Sequence, residues 1–149
     1  VAFGPCTYID EQGRTLWQNK APSWVVQVLS WGPQLVPQPG MLVRFDAWRK
    51  LGGLDTSYSM AFDFDLLLRL KKLGSFVRVD HPVSYFRWHS SSLTVDDRTK
   101  NLQESQRAKR AALSSRVRTC AWLWEAPVRW ATRFAAWRIS RRSMRVSPK

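Results

Sequence analysis

The chain has 149 residues, a hydrophobic fraction of 44% and nine tryptophans, which together exclude wholesale disorder and allow one well-packed core. Its formal net charge is +13, but the excess lies at one end: residues 98–149 hold fourteen Lys and Arg against two acidic residues, whereas residues 1–97 hold ten against nine. Residues 1–97 therefore show no electrostatic sign of a polyanionic partner, and such a partner would meet residues 98–149.

In chain order, the alternation of apolar and polar residues predicts strands at 1–4, 6–9, 15–17, 41–44, 76–79 and 83–88. Helices are expected at 24–31, at 47–51 with Asp46 as the cap, from about Asp63 to Gly74, from about 95 to 115, and from 119 to 142 with an interruption at Pro127. The first hairpin turns at Gly13, and Gly52 and Gly53 end the helix at 47–51. The pattern predicts an α/β body over residues 1–97 and a helical, basic tail over residues 98–149.

The two cysteines, Cys6 and Cys120, lie far apart in the sequence and form no CxxC motif, which favours a reducing compartment. No run of about 18 apolar residues occurs, so the sequence predicts no membrane-spanning helix. We therefore expect a cytoplasmic location, with peripheral association at the inner face of the membrane left open.

Asp63 and Asp65 stand at the start of an apolar helical run. Carboxylates at a helix N-terminus are stabilised by about 0.3–1 kcal/mol, so both could be structural. The functional alternative makes Asp63 a general base, which must face a cleft within hydrogen-bond reach of a hydroxyl group. A metal-binding DxD is disfavoured because the pair opens a helix rather than a loop, and Arg69 is expected to be an ion-pair partner.

His89 follows a predicted strand and precedes a serine-rich loop. Imidazole is a common metal ligand, so His89 is a candidate ligand, although a packed or surface histidine is the more frequent occurrence. The other ligands of such a site are not evident from the sequence.

Tryptophan and phenylalanine alternate with arginine in the tail, and Trp130, Phe134 and Trp137 share one helical stripe. Three interpretations stay open. The helix could pack its aromatic side chains on the body, it could lie on an anionic membrane surface through residues 116–145, or it could bind nucleic acid. No recognised nucleic-acid-binding motif in the sequence supports the third interpretation.

Four segments, in this order and with these gaps, resemble the second half of family 2 glycosyltransferases of the GT-A fold: QPGMLVR (38–44), WRKLGGLD (48–55), AFDFDLLLRL (61–70) and VSYFRWHSSSLT (83–94). Residues 1–14 also resemble the strand and hairpin that follow the metal-binding segment in that family. The chain differs from many members in having Phe62, rather than an acidic residue, before the aspartate.

The resemblance implies the carboxyl-terminal part of a Rossmann-like GT-A domain over residues 1–97 and an inverting transfer of a sugar from a nucleotide-sugar to a glycan or lipid-linked acceptor. It matches Asp63 to the catalytic base, Asp65 to a supporting acid, and His89 to a ligand of Mn²⁺ or Mg²⁺. The donor-binding half and most metal ligands would lie upstream of Val1, so residues 1–149 alone are expected to lack transferase activity.

A different class of function stays open beside this one. The chain could be a non-enzymatic module whose basic tail binds a membrane surface or nucleic acid. An upstream strand-loop pattern with a DxD motif would favour the transferase, whereas the absence of that pattern from the gene would favour the binding module.

Overall fold

A computed structural model of the chain describes residues 1–32, 34–88 and 98–128, together with residues 130, 131 and 134. Its strands are β1 (Ala2–Phe3), β2 (Cys6–Ile9), β3 (Thr15–Asn19), β4 (Met41–Leu42), β5 (Val77–Arg78) and β6 (Ser84–Arg87). Its helices are α1 (Val25–Val28), α2 (Phe45–Lys50), α3 (Phe62–Lys71), α4 (Arg98–Ala112) and α5 (Ser115–Thr119), and a 3₁₀ turn (Gln38–Gly40) precedes β4. Residues 122–128, 130, 131 and 134 are also helical. The predicted mixed α/β class is confirmed.

The strands form two three-stranded sheets that follow one another along the chain. β1 lies between antiparallel β4 and parallel β5, and β2 lies between antiparallel β3 and parallel β6. Only Gly4 and Pro5 separate the two central strands. The close approach here requires glycine, because a Cβ on Gly40 would lie 2.7 Å from the carbonyl oxygen of Gly4.

The turns behave as the sequence predicts. Gly13 has a φ of 83° in the β2–β3 hairpin, where Asp10 accepts hydrogen bonds from the backbone of Gln12 and Arg14. At the end of α2 the N–H of Gly53 bonds the carbonyl of Trp48, and both Gly52 and Gly53 have positive φ. Glycine adopts this left-handed conformation at a helix end with little conformational cost.

Two local predictions are wrong. Asp46 is not the cap of α2 but its second residue, because the helix begins earlier, at Phe45. The interruption expected at Pro127 is absent from residues 122–128, which are continuously helical. Pro127 has no N–H to donate to the carbonyl oxygen of Leu123, four residues earlier. Because Leu123 is 57% exposed, water can donate a hydrogen bond to that carbonyl instead.

The core lies where α3 packs between the first sheet and α4. Its buried side chains come from the strands, the loops and three helices, and include Phe3, Val25, Leu29, Val36, Tyr58, Phe64, Leu67, Leu68 and Ala108. Ala108 belongs to α4, so the segment assigned to the tail contributes to the same core as residues 1–97. In the part of the chain that the structure describes, no helix is both long enough and apolar enough to cross a lipid bilayer.

Candidate active site around the N-terminus of α3

Asp63 is the second residue of α3 and is half-buried. Its Oδ2 accepts a 2.9 Å hydrogen bond from the side-chain amide of Gln34, and its Oδ1 accepts a 2.7 Å bond from the backbone N–H of Phe64. A carboxylate has about four acceptor positions. These two contacts orient the group and, in the part of the chain that the structure describes, leave acceptor positions for a further hydrogen bond.

The partner of Asp63 is neutral, which matters for its chemistry. An amide donor fixes the carboxylate without placing a positive charge beside it, whereas an arginine would form an ion pair that stabilises the anion strongly. Gln34 was not identified from the sequence, because it lies 29 residues away in a proline-rich loop, and no periodicity connects the two positions.

Asp65 has a different environment although it lies only two residues further along α3. It is buried, and its Oδ2 accepts a 2.7 Å hydrogen bond from Nε of Arg69, one turn later. The same guanidinium donates to the carbonyl oxygens of Leu51 and Gly53 at 3.0 and 2.9 Å. The Asp65–Arg69 pair thus ties α3 to the end of α2, and the predicted role of Arg69 as an ion-pair partner is confirmed.

We predict that Asp65→Asn destabilises the protein by about 2 kcal/mol, because a hydrogen bond to a charged group is worth about 1.5–3 kcal/mol. Arg69 would keep its two carbonyl contacts but lose its counter-charge in a partly buried site. Chemical denaturation measures the effect, with Asp46→Asn as the control for an exposed aspartate–arginine pair. Equal stability of the two variants would contradict a structural role for Asp65.

Glu104 of α4 binds the backbone that leads into the N-terminus of α3. Its carboxylate accepts hydrogen bonds from the backbone N–H groups of Ser59, Met60 and Ala61 and from the Ser59 hydroxyl, at 2.7–3.2 Å. The N-cap residue of α3, Ala61, has no side-chain oxygen to offer. Glu104 therefore holds the three backbone N–H groups that lead into α3, rather than the N2 and N3 groups that a local Ser or Asp cap binds. Its negative charge lies near the positive end of the helix dipole.

Two opposing causes act on the pKa of Glu104. Partial removal from water raises it, but the backbone hydrogen bonds from Met60, Ala61 and Ser59 outweigh that effect and lower the pKa from 4.5 to about 2. A carboxylate with a lowered pKa in the folded state stabilises the fold above its unfolded pKa, and this contribution is lost as the pH falls toward the folded value.

We predict that the unfolding free energy of the native protein declines as the pH falls from about 4.5 to about 2, and that Glu104→Gln removes a distinct part of that decline. At neutral pH the same variant should be less stable by about 1 kcal/mol, the typical net contribution of a hydrogen bond. Thermal denaturation across this pH range, with Glu11→Gln as an exposed control, measures both effects. A pH dependence that is identical in Glu104→Gln and the native protein would contradict this account.

A cluster of four aromatic side chains covers one face of the second sheet. Tyr8 stacks on Trp17 at 4.4 Å between ring centroids, and Phe86 and Trp88 complete the group at 5.4 and 6.2 Å from Tyr8. Burial raises the pKa of the Tyr8 hydroxyl, while its side-chain hydrogen bond with Asn19 acts in the opposite direction.

The aromatic cluster is linked to Asp63 through the loop after α1. The Asn19 side chain donates to the carbonyl oxygen of Leu35, and the adjacent Gln34 holds Asp63. The four rings are half-buried, so they are partly accessible to solvent. The sequence predicted strands here, but it did not predict that their aromatic residues form a cluster connected to the loop of Gln34 and Leu35.

The predicted metal ligand, His89, lies outside the described residues. Among those that the structure describes, no three His, Cys, Asp or Glu side chains come together in a group that could hold a metal ion. Asp63 and Asp65 cannot form a pair of ligands in this arrangement, because residues two apart on a helix point in different directions and Asp65 is held by Arg69. The described residues therefore do not by themselves fit Mn²⁺ or Mg²⁺.

Comparison of the chain with models of known protein families, with curated proteins and with solved structures gave no match.

Proposed function

We propose that the chain forms the acceptor side of an inverting, nucleotide-sugar-dependent glycosyltransferase of the GT-A type. The observation that carries the proposal is the Asp63 carboxylate at the start of α3, oriented by the neutral amide of Gln34 at 2.9 Å. The resemblance of the segments 38–44, 48–55, 61–70 and 83–94 to the acceptor half of that family supports it.

In this proposal Asp63 is the general base. Its carboxylate accepts the proton of the acceptor hydroxyl as the hydroxyl oxygen attacks the anomeric carbon of the donor sugar. A bond forms between that oxygen and the anomeric carbon, and the bond from the same carbon to the phosphate oxygen breaks. The nucleoside diphosphate leaves with the bonding electron pair, and the configuration at the anomeric carbon inverts.

We propose different roles for the two aspartates of α3. Among the described residues, Asp63 contacts the neutral amide of Gln34 and the backbone of Phe64 and keeps acceptor positions open, which suits a group that must take up a proton. Asp65 is held by Arg69 at 2.7 Å, and Arg69 also binds the carbonyl oxygens of Leu51 and Gly53, which suits a group that positions a helix. We therefore assign proton transfer to Asp63 and the positioning of α3 to Asp65, through its contact with the end of α2.

The cluster of Tyr8, Trp17, Phe86 and Trp88 fits an acceptor that contains sugar rings. Partly accessible aromatic rings offer a flat apolar surface on which the C–H groups of a sugar can pack, and tyrosine and tryptophan add a polar group at the rim. The connection from Asn19 through Leu35 to Gln34 holds the cluster and the proposed base in one structural unit.

We predict that Asp63→Asn lowers acceptor-dependent transfer by about 10²–10⁴-fold, the usual contribution of a general base, and leaves donor binding unchanged. Release of nucleoside diphosphate from a panel of nucleotide-sugars measures the first, and calorimetry measures the second. The assay uses the longest natural polypeptide that contains this sequence, so that donor contacts are present.

Asp46→Asn is the matched control, since Asp46 is also the second residue of its helix and carries a carboxylate. It is exposed and paired with Arg44, so its transfer rate should stay within about twofold of the native rate. Transfer that survives Asp63→Asn at the native rate would remove Asp63 from the role of base.

A further inference from the structure

The helical residues after α5 are here called the tail helix (residues 122–128, 130, 131 and 134). One face of the tail helix contacts the body, and the opposite face is apolar and exposed. The face toward the body is fixed by specific contacts. Trp124 packs on Trp31 at 4.9 Å between ring centroids, and Glu125 accepts two hydrogen bonds from the guanidinium of Arg110 at 2.7 and 2.6 Å. These contacts set the rotation of the helix about its axis.

The opposite face is apolar and exposed to solvent. Leu123 is 57% exposed, Trp130 75% and Phe134 58%, and Ala126 and Pro127 between them are also exposed. Spacings of three, four and seven residues place these side chains on one side of a helix. A helix on a folded body normally has the reverse polarity, with its apolar side turned inward.

Positive charge directly precedes the tail helix along the chain. The arginines of α4 are held on the body side, Arg107 over the Tyr58 ring and Arg110 by Glu125. Arg116 and Arg118 are exposed on α5, directly before the tail helix. Residues 98–149 together carry fourteen Lys and Arg against Glu104 and Glu125, so this part of the chain is strongly basic.

We propose that the tail helix docks in the plane of an anionic lipid surface. The face of Leu123, Ala126, Pro127, Trp130 and Phe134 enters the boundary between headgroups and acyl chains, and the exposed arginines of α5 meet lipid phosphates. This combination of a large apolar face, tryptophan and basic residues is the pattern of helices that lie on membranes without crossing them.

Charge complementarity and the apolar face together favour lipid over the other occupants. Nucleic acid would attract the arginines, and Trp130 and Phe134 can stack on bases. The remaining residues of the face, Leu123, Ala126 and Pro127, cannot stack on bases, whereas all five suit the boundary between headgroups and acyl chains. The proposal is independent of the proposed transferase activity, because it rests on residues 107–134 and not on Asp63.

The direct test is co-sedimentation of the protein with phosphatidylcholine vesicles that contain or lack phosphatidylglycerol. We expect binding to the anionic vesicles that weakens at about 0.5 M salt, where charges are screened within a few ångströms. Absence of binding to anionic vesicles, or equal binding to neutral vesicles at both salt concentrations, would overturn the proposal.

The double variant Leu123→Ser with Trp130→Ser tests the apolar face. We expect its binding to anionic vesicles to fall at least about tenfold, because it removes apolar area from the boundary region. The matched control is Leu42→Ser with Tyr85→Ser, which changes side chains that are 75% and 69% exposed elsewhere on the body. Circular dichroism confirms that each variant is folded, and equal binding by the two double variants would contradict the proposed face.

The double variant Arg116→Gln with Arg118→Gln tests the charge. We expect about a tenfold loss of binding to anionic vesicles at low salt, with Lys50→Gln and Lys72→Gln as the control for exposed basic residues on α2 and after α3. Competition with a short DNA duplex, and sedimentation of the protein without lipid, complete the test. Tight DNA binding that survives Leu123→Ser with Trp130→Ser would indicate nucleic acid, rather than lipid, as the partner of the basic residues. A dimer that this double variant dissociates would indicate that the apolar face binds a second copy of the chain, and either result would overturn the proposal.

Discussion

The contact of Glu104 with the N-terminus of α3 is the constraint on which the rest of the structure depends. One carboxylate satisfies three backbone N–H groups across more than forty residues of sequence, and it fixes α4 against the helix that bears the proposed base. Arg107 reinforces the same joint, with its guanidinium 3.9 Å from the centre of the Tyr58 ring. Because α4 also carries Arg110, which holds the tail helix, this joint positions both the proposed active site and the proposed lipid-binding face.

Environment, rather than residue type, separates the two aspartates of α3. Asp63 is half-buried and meets a neutral amide, whereas Asp65 is buried and meets a guanidinium that also binds two carbonyl oxygens. Identical side chains two positions apart therefore suit different tasks, one the proposed proton transfer and the other the contact between two helices. A helix makes this possible because successive positions point in different directions.

The elements with strong local signals were predictable from the sequence. β2 occupies the predicted residues 6–9, and the turns at Gly13 and Gly52 form as expected, because alternation and glycine act over a few residues. Long-range contacts were not predictable: Gln34 reaches Asp63 across 29 residues and Glu104 reaches Ala61 across 43. No periodicity in the chain encodes such pairs, so the orientation of the site emerges only when the helices are packed.

A crystal structure with a nucleoside diphosphate and an unreactive acceptor analogue tests most directly whether Asp63 takes the proton of an acceptor hydroxyl. We expect an acceptor hydroxyl oxygen about 2.6–3.2 Å from an Asp63 carboxylate oxygen, with Gln34 still bonded to Asp63, Glu104 still at the N-terminus of α3 and a sugar ring beside Trp17 or Trp88. An acceptor bound elsewhere, with Asp63 contacting only Gln34 and the backbone of Phe64, would contradict it.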